Sequence, residues 1–263
     1  MSELPCISIL TPTFNRRKFL PLMISNIIHQ SYPKDKIEWV ICDSYGMKGD
    51  ECDPMLRGDE VHELSSKMNI DINYSFLKTP MGIGEKRNWL SKRAKNKILI
   101  NMDSDDIYFG DYCKVLVSTL QGKVAIAGSP EMLFIFPSDN YHMGMIRCPA
   151  YRQIHEGAMG YTKKHFKRMG GFASSGTGEG AKMFDGCGEK CFQKVPIEQL
   201  MVCVCHDGNT CNKDRFKKNI DQKMKLEGAQ FRILQEIMGI KYDPELVLLE
   251  ESEESEESEE SES

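Results

Sequence analysis

The sequence predicts an α/β fold, a central and mostly parallel sheet flanked by helices. Three observations point there. Short apolar runs rich in β-branched residues alternate with amphipathic helical stretches through the first half. The runs are short enough for strands and the stretches between them long enough for crossover helices, the signature of βαβ units. Three runs also stop at polar, ligand-like residues: Thr11-Pro-Thr-Phe-Asn-Arg16, Asp43-Ser44 and Asp103-Ser-Asp-Asp106. In an open α/β sheet, ligands bind beyond the carboxyl ends of strands.

Cys6 to Thr11 reads as the first strand, closed by Pro12. Phe19, Leu22, Met23, Asn26, Ile27 and Gln30 keep a helical period that Pro33 ends. Ile37 to Cys42 is the second strand and Ile72 to Leu77 the third. Gly84 to Asn96 reads as a basic helix, and Lys97 to Met102 as a strand before the aspartates. Lys123 to Ala127, Met132 to Phe136 and Leu200 to Cys205 are further strands. Thr162 to Met169 and Glu179 to Phe192 are expected to be helical around the glycine-rich stretch 170–178. Asp214 to Met238 is expected as one long helix ended by Gly239.

A chain of 263 residues, 40% of them apolar and 28% charged, can bury a sizeable core. The expected layout is one domain over 1–249. Residues 1–110 form a ligand-binding half, 111–249 a second half with the last helix, and 250–263 a disordered tail. No apolar run approaches the roughly 18 residues that span a bilayer. Met1 to Cys6 is polar and lacks an export signal, so a cytoplasmic protein with reduced thiols is expected.

The tail contains only Glu and Ser, and removing its nine glutamates from the formal charge of −5 leaves a body of +4. That mild basicity suits an anionic small molecule and is too sparse for a nucleic-acid partner. Five of the ten cysteines lie between Cys187 and Cys211, at Cys187, Cys191, Cys203, Cys205 and Cys211. Their spacing matches no common zinc knuckle, so buried free thiols are expected and structural zinc is the alternative.

Asp103-x-Asp105-Asp106 is the strongest chemical element. Three carboxylates in four residues repel one another unless a cation sits among them. Mg²⁺ or Mn²⁺ would relieve the repulsion and bridge to phosphate oxygens, while the alternative is a helix cap at Asp105 or Asp106. Asp43, at a strand end, either accepts from a base or ribose or opens a turn. Gly82 to Asn88 opens a helix whose N-terminus and Arg87 favour anions. On a regular strand His206 faces away from Cys203 and Cys205, which leaves it available as the imidazole ligand of the metal held by the aspartates.

These residues resemble family 2 glycosyltransferases of the GT-A fold. The resemblance rests on Ile7-Ser-Ile-Leu-Thr-Pro-Thr-Phe-Asn-Arg16, Val40-Ile-Cys-Asp-Ser44, Glu85-Lys-Arg-Asn88 and Met102-Asp-Ser-Asp-Asp106, in that order. Gly170-Gly-Phe172 followed by Gly178-Glu-Gly180 is similar to the family's acceptor-side segment. The resemblance covers about residues 5–210. It implies a nucleotide-diphosphate sugar, with a UDP-sugar favoured, held by Thr11, Asn15, Asp43, Arg87 and Asp103. It implies Mn²⁺ or Mg²⁺ on Asp103, Asp105 and His206, and inverting transfer of one sugar to a hydroxyl acceptor.

Inversion needs a base to take the acceptor proton. The family places Glu-Asp at this point, and here Gly180 stands in the second position, so Glu179 or Asp185 is expected to serve. The Gln-x-x-Arg-Trp signature of processive synthases is absent, which points to single-sugar addition. A sugar nucleotidyltransferase would carry a glycine-rich loop where Pro12 and Asn15 stand. A zinc-stabilised, non-catalytic binding protein on the same fold is the remaining alternative.

Overall fold

The computed structural model describes residues 3–46, 52–122, 124–147, 154–174, 178–209, 212–221 and 223–243. Four parallel strands form the heart of the larger sheet: β1 (Ile7–Thr13), β2 (Ile37–Ser44), β3 (Asp71–Leu77) and β4 (Ile98–Asn101). Beyond β4 lie β9 (Gly160–Thr162), antiparallel to β4, then β6 (Ile126–Gly128) and β10 (Phe192–Lys194). The order across the sheet is β10-β6-β9-β4-β1-β2-β3. A second sheet, β5 (Ile107–Tyr108), β11 (Met201–Val204), β7 (Met132–Phe136) and β8 (His142–Ile146), runs β5-β11-β7-β8. The expected α/β architecture with a mainly parallel sheet is therefore present.

The strands β1 and β2 are buried along their whole length, because helices cover both faces of the sheet. One apolar cluster holds Ile7, Ile9, Trp39 and Ile41, and the other holds Leu10, Val40 and Leu99. The alternation along each strand thus feeds two cores. β1 runs past Pro12 to Thr13. Leu10 directs its carbonyl at β4, so Pro12 faces the same side, and pairing with β4 has already ended there. Its missing N–H has no partner to lose.

The helices are α1 (Leu20–Ile28), α2 (Glu60–Met68), α3 (Ile83–Arg93), α4 (Tyr112–Gln121), α5 (Lys163–Met169) and α6 (Ala229–Met238). Pro21 opens α1, where its absent N–H costs nothing, and α6 packs on α1. The Thr162 hydroxyl caps α5 by accepting from the His165 amide at 3.3 Å. Gly84 lets α3 press against the stretch after Phe172, because a Cβ there would sit on the Ala173 carbonyl oxygen. The sequence reading did not pick out α2 or α4, although Tyr112, Cys113, Leu116, Val117 and Leu120 bury one face of α4.

Two expected helices are broken. Over Glu179–Phe192 the chain forms 3-10 turns at Glu179–Phe184 and Glu189–Cys191, then β10. Gly186 and Gly188 lie between them at φ 72° and 58°, left-handed values that end helical winding. Over Asp214–Met238 only a 3-10 turn at Asp214–Asn219 and α6 are helical. Ile220 bridges to Gly144 and the Asp221 amide donates to Met143 at 2.8 Å, so the chain pairs with β8 instead of winding on. Gly228, at φ 102°, then restarts the helix.

The thiols also differ in part from expectation. Cys187 and Cys191 are joined as a disulfide beside His165, whereas Cys203 on β11 and Cys205 just after it are free and buried, as expected. Cys203 lies near Asp106 and His155 and takes a contact from the Lys213 ammonium at 2.7 Å. The cysteines therefore divide between two places and do not form one zinc centre, and Cys211 and the tail lie outside the described residues. Among the described residues no helix is long and apolar enough to cross a membrane.

Candidate active site

The order of strands reverses between β1 and β4: the chain builds β1, β2 and β3 outward, then returns to place β4 on the other side of β1. A crevice at such a switch point lies beyond the carboxyl ends of the two strands. Phe14 to Arg16 leave β1 here, and Met102 to Asp106 leave β4. Main-chain pairing of the Met102 amide with the Leu10 carbonyl, at 2.9 Å, holds the two exits side by side.

The three aspartates that follow β4 separate into distinct environments. Asp105 Oδ2 accepts from Arg16 Nε at 2.9 Å and from Asn209 Nδ2 at 3.4 Å. His206 reaches the same oxygen through Nε2 at 3.0 Å. The Gly208 amide donates to His206 Nδ1 at 3.1 Å, so Nε2 carries the proton toward Asp105. Burial would raise the Asp105 carboxyl, but the His206 hydrogen bond and the Arg16 charge outweigh it and hold it below the usual carboxylate range. Arg16 also donates to the Gly208 carbonyl, which ties the β1 exit to the loop after β11.

Asp103 turns the other way. Arg87, on α3, donates to Asp103 Oδ1 and Oδ2 at 2.9 and 3.0 Å and through Nε to Glu179 at 2.9 Å. The guanidinium is almost wholly buried, and this three-point clasp uses its fixed fork geometry. The Asp103 amide donates to the Tyr108 hydroxyl at 2.7 Å, and that hydroxyl donates to the Gly157 carbonyl at 3.1 Å. Asp106 points away from the crevice and accepts from the Val204 amide at 2.9 Å. Its partner is the β11 backbone, so the third aspartate of the sequence motif ties the two sheets together.

Asp103, Asp105 and His206 thus do not close on one ion-sized space: Asp105 and His206 meet, and Asp103 is committed to Arg87. An oxygen and an imidazole nitrogen 3.0 Å apart fit a hard divalent ion whose other positions are filled by phosphate oxygens and water. To ligate through Nε2, His206 would have to shift its proton to Nδ1 and give up the Gly208 contact.

The base-side residues are placed as follows. Asp43 is fully buried at the end of β2, and its Oδ2 accepts from the Met55 amide at 2.8 Å and the Tyr74 hydroxyl at 2.9 Å. Among the described residues its Oδ1 is buried without a hydrogen-bond partner. Burial raises the Asp43 carboxyl, against those two donors. Asn15 follows β1 with φ 52°. Thr11 is buried, and its hydroxyl accepts from Trp39 Nε1 at 2.9 Å, so its side chain is engaged inside the sheet. Lys86, buried on α3, donates to the Thr13 carbonyl.

Glu179 begins its 3-10 turn and is buried in the Arg87 clasp, whereas Asp185 is exposed at the end of that turn. Arg16, Asn209 and Glu156 join the site without having been singled out from the sequence. Arg16 stands in the quoted β1 motif, so its neighbourhood was visible there. Asn209 and Glu156 arrive from segments distant in sequence. A separate cavity of 380 Å³ between Tyr141, Met224 and Phe231 shares no residue with this crevice.

The model of glycosyl transferase family 2 matches residues 8–169, more than half of the chain. The chain belongs to glycosyl transferase family 2. A curated relative, the poly(ribitol-phosphate) beta-N-acetylglucosaminyltransferase TarS of Staphylococcus aureus strain Mu50, is 28% identical over 100 residues. That stretch is 38% of this chain and only 16% of the relative, so the likeness spans a minor part of that protein.

Solved structures agree on the GT-A fold. The S. aureus TarS 1-349 structure in complex with UDP-GlcNAc superposes with a TM-score of 0.57 at 15% identity, covering 89% of this chain and 71% of that one. The mannosyltransferase PcManGT from Pyrobaculum calidifontis, in complex with GDP-Man and Mn²⁺, gives 0.55 at 15% identity, covering 80% and 59%. This glycosyltransferase chain carries its carboxylate-rich crevice within and just beyond the matched region.

Proposed function

We propose that this family 2 enzyme is a metal-dependent, inverting glycosyltransferase that moves one sugar from a UDP-sugar to an acceptor hydroxyl. The observation that carries the reading is the pair of oppositely engaged carboxylates, Asp103 and Asp105, at the β1–β4 switch point. Binding of UDP-GlcNAc by the TarS structure makes that sugar nucleotide the first donor to examine.

The nucleoside lies toward β2, where the unpartnered Asp43 oxygen accepts from a base or ribose donor. Asn15 borders the same side. The diphosphate lies over the β1 exit, where Arg16 supplies fixed positive charge. Asp105 and His206 would hold a divalent ion, which would supply positive charge against the departing diphosphate. Asp105, held in its ionised form, is suited to that task. Arg87 keeps Asp103 and Glu179 in one rigid array, so the sugar-facing wall is preorganised. Glu179 is an orienting partner of Arg87 here, because its carboxylate is bound to that guanidinium.

Calorimetric titration of UDP and GDP, each with and without Mn²⁺, tests the reading. Metal-dependent binding of UDP is expected, with GDP weaker. Binding of neither nucleotide overturns it, and preference for GDP overturns the choice of base.

A further inference from the structure

Position 180 is where the resemblance calls for a carboxylate and the chain has none. A Cβ built on Gly180 would lie 2.9 Å from both Cγ and Oε1 of Glu156. The volume that a side chain at 180 would fill is thus taken by the Glu156 carboxyl, delivered from another part of the chain. Oε1 accepts from the Gly180 amide at 3.0 Å, which fixes it there.

The turn that carries Glu156 is anchored to the end of β4. The Glu156 carbonyl accepts from Asn101 Nδ2 at 2.8 Å, and the Gly157 carbonyl accepts from the Tyr108 and Tyr112 hydroxyls at 3.1 and 3.0 Å. A Cβ on Gly157 would lie 3.0 Å from Asp103 Oδ2, so this glycine lets the turn close on Asp103. The Glu156 carboxyl therefore stands in the sugar-facing wall, next to the Arg87 clasp. Glu179 and Asp185 are less apt: the first is bound to Arg87, and the second is exposed.

We propose that Glu156 is the general base of this enzyme, its carboxylate occupying the place left open by Gly180. The proposal rests on the reading of the chain as an inverting transferase. In the step, a lone pair of the acceptor oxygen forms the bond to the anomeric carbon. The bond from that carbon to the diphosphate oxygen breaks, its electron pair leaving with the diphosphate. The acceptor proton passes to the Glu156 carboxylate and later to solvent.

The surroundings suit a base working near neutrality. Burial and the Glu179 carboxylate push the Glu156 carboxyl up to about 7, while Arg87 and the Gly180 amide pull it down. The charged and titratable groups around it are Glu179 from the 3-10 turn, Arg87 from α3, Asp103 from the β4 exit and neighbouring His155.

The test uses UDP-GlcNAc with water as acceptor, following UDP release with Mn²⁺ from about pH 5 to 9, alongside calorimetric UDP affinity. The wild type is expected to gain rate as pH rises through about 7, where the carboxylate ionises. Glu156→Gln should lose roughly 10²–10⁴-fold in rate and the limb near neutrality, with UDP affinity unchanged. The double variant Glu156→Gly with Gly180→Asp should recover much of the rate, since Gly180 is not in the left-handed region and accepts a side chain once Glu156 is removed. Glu156→Gln within threefold of wild type, or with an unchanged pH profile, overturns the proposal while UDP binding still supports the transferase reading. A chain that binds no UDP overturns both.

Discussion

Arg87→Met removes the cation from a buried charge cluster and leaves a side chain of similar length. Arg87 and Glu179 have 3% and 5% of their side chains exposed, and Asp103 has 22%. Breaking a buried ion pair by deleting one partner costs about 3–5 kcal/mol, because the remaining charge stays buried. Glu179 alone justifies the lower figure. Asp103 keeps contact with water, so its share is screened and moves the total only part of the way to the upper one. For a chain of this size about 2–4 °C of melting temperature accompanies each kcal/mol, so a cost of about 3–4 kcal/mol gives a drop of about 6–16 °C.

Urea unfolding at pH 8 and at pH 5.5 measures it. Part of the cost is repulsion between the Glu179 and Glu156 carboxylates, and Glu156, pushed up to about 7 by burial and Glu179, is protonated at the lower pH, so the cost should shrink there. A loss below about 1 kcal/mol, or an equal loss at both pH values, refutes the claim that the clasp holds uncompensated charge. Arg87→Lys should fall between, since an ammonium cannot reproduce three fork contacts.

Gly84→Ala should destabilise by about 1–3 kcal/mol or more through collision with the Ala173 carbonyl, read by thermal melting; an unchanged melting temperature shows that α3 can move away. Mn²⁺ with UDP should raise the melting temperature of the wild type and not of Asp105→Ala or His206→Ala; an equal rise in all three removes the metal role of this pair. Deleting 250–263, which contains only Glu and Ser, should change neither melting nor donor hydrolysis, and a loss of either gives the segment a part in the folded enzyme.

The crossover strands were legible because burial on both faces leaves a near-continuous apolar run that ends abruptly at polar residues. Ile37–Ser44 and Ile98–Asn101 show this, and their ends mark the crevice. The family signal is dense there for the same reason. The second half was less legible. Ile220 and Asp221 leave a helical pattern to pair with β8, and β10 forms because β6 offers an edge. Such choices depend on partners distant in sequence, which local propensity does not sense.

The sequence by itself determined the α/β class, the strand ends that line the crevice and the membership in glycosyl transferase family 2. Its information there is local: alternation, apolar length and residue type at a strand end. Tertiary structure alone decided how the charges are shared out. It gave Asp103 to Arg87 and Asp105 to His206, turned Asp106 to the β11 backbone, and filled the space at Gly180 with Glu156 from a loop that no spacing rule connects to it. Those assignments follow from which backbone segments pack together, and packing brings into contact groups that the chain order keeps far apart.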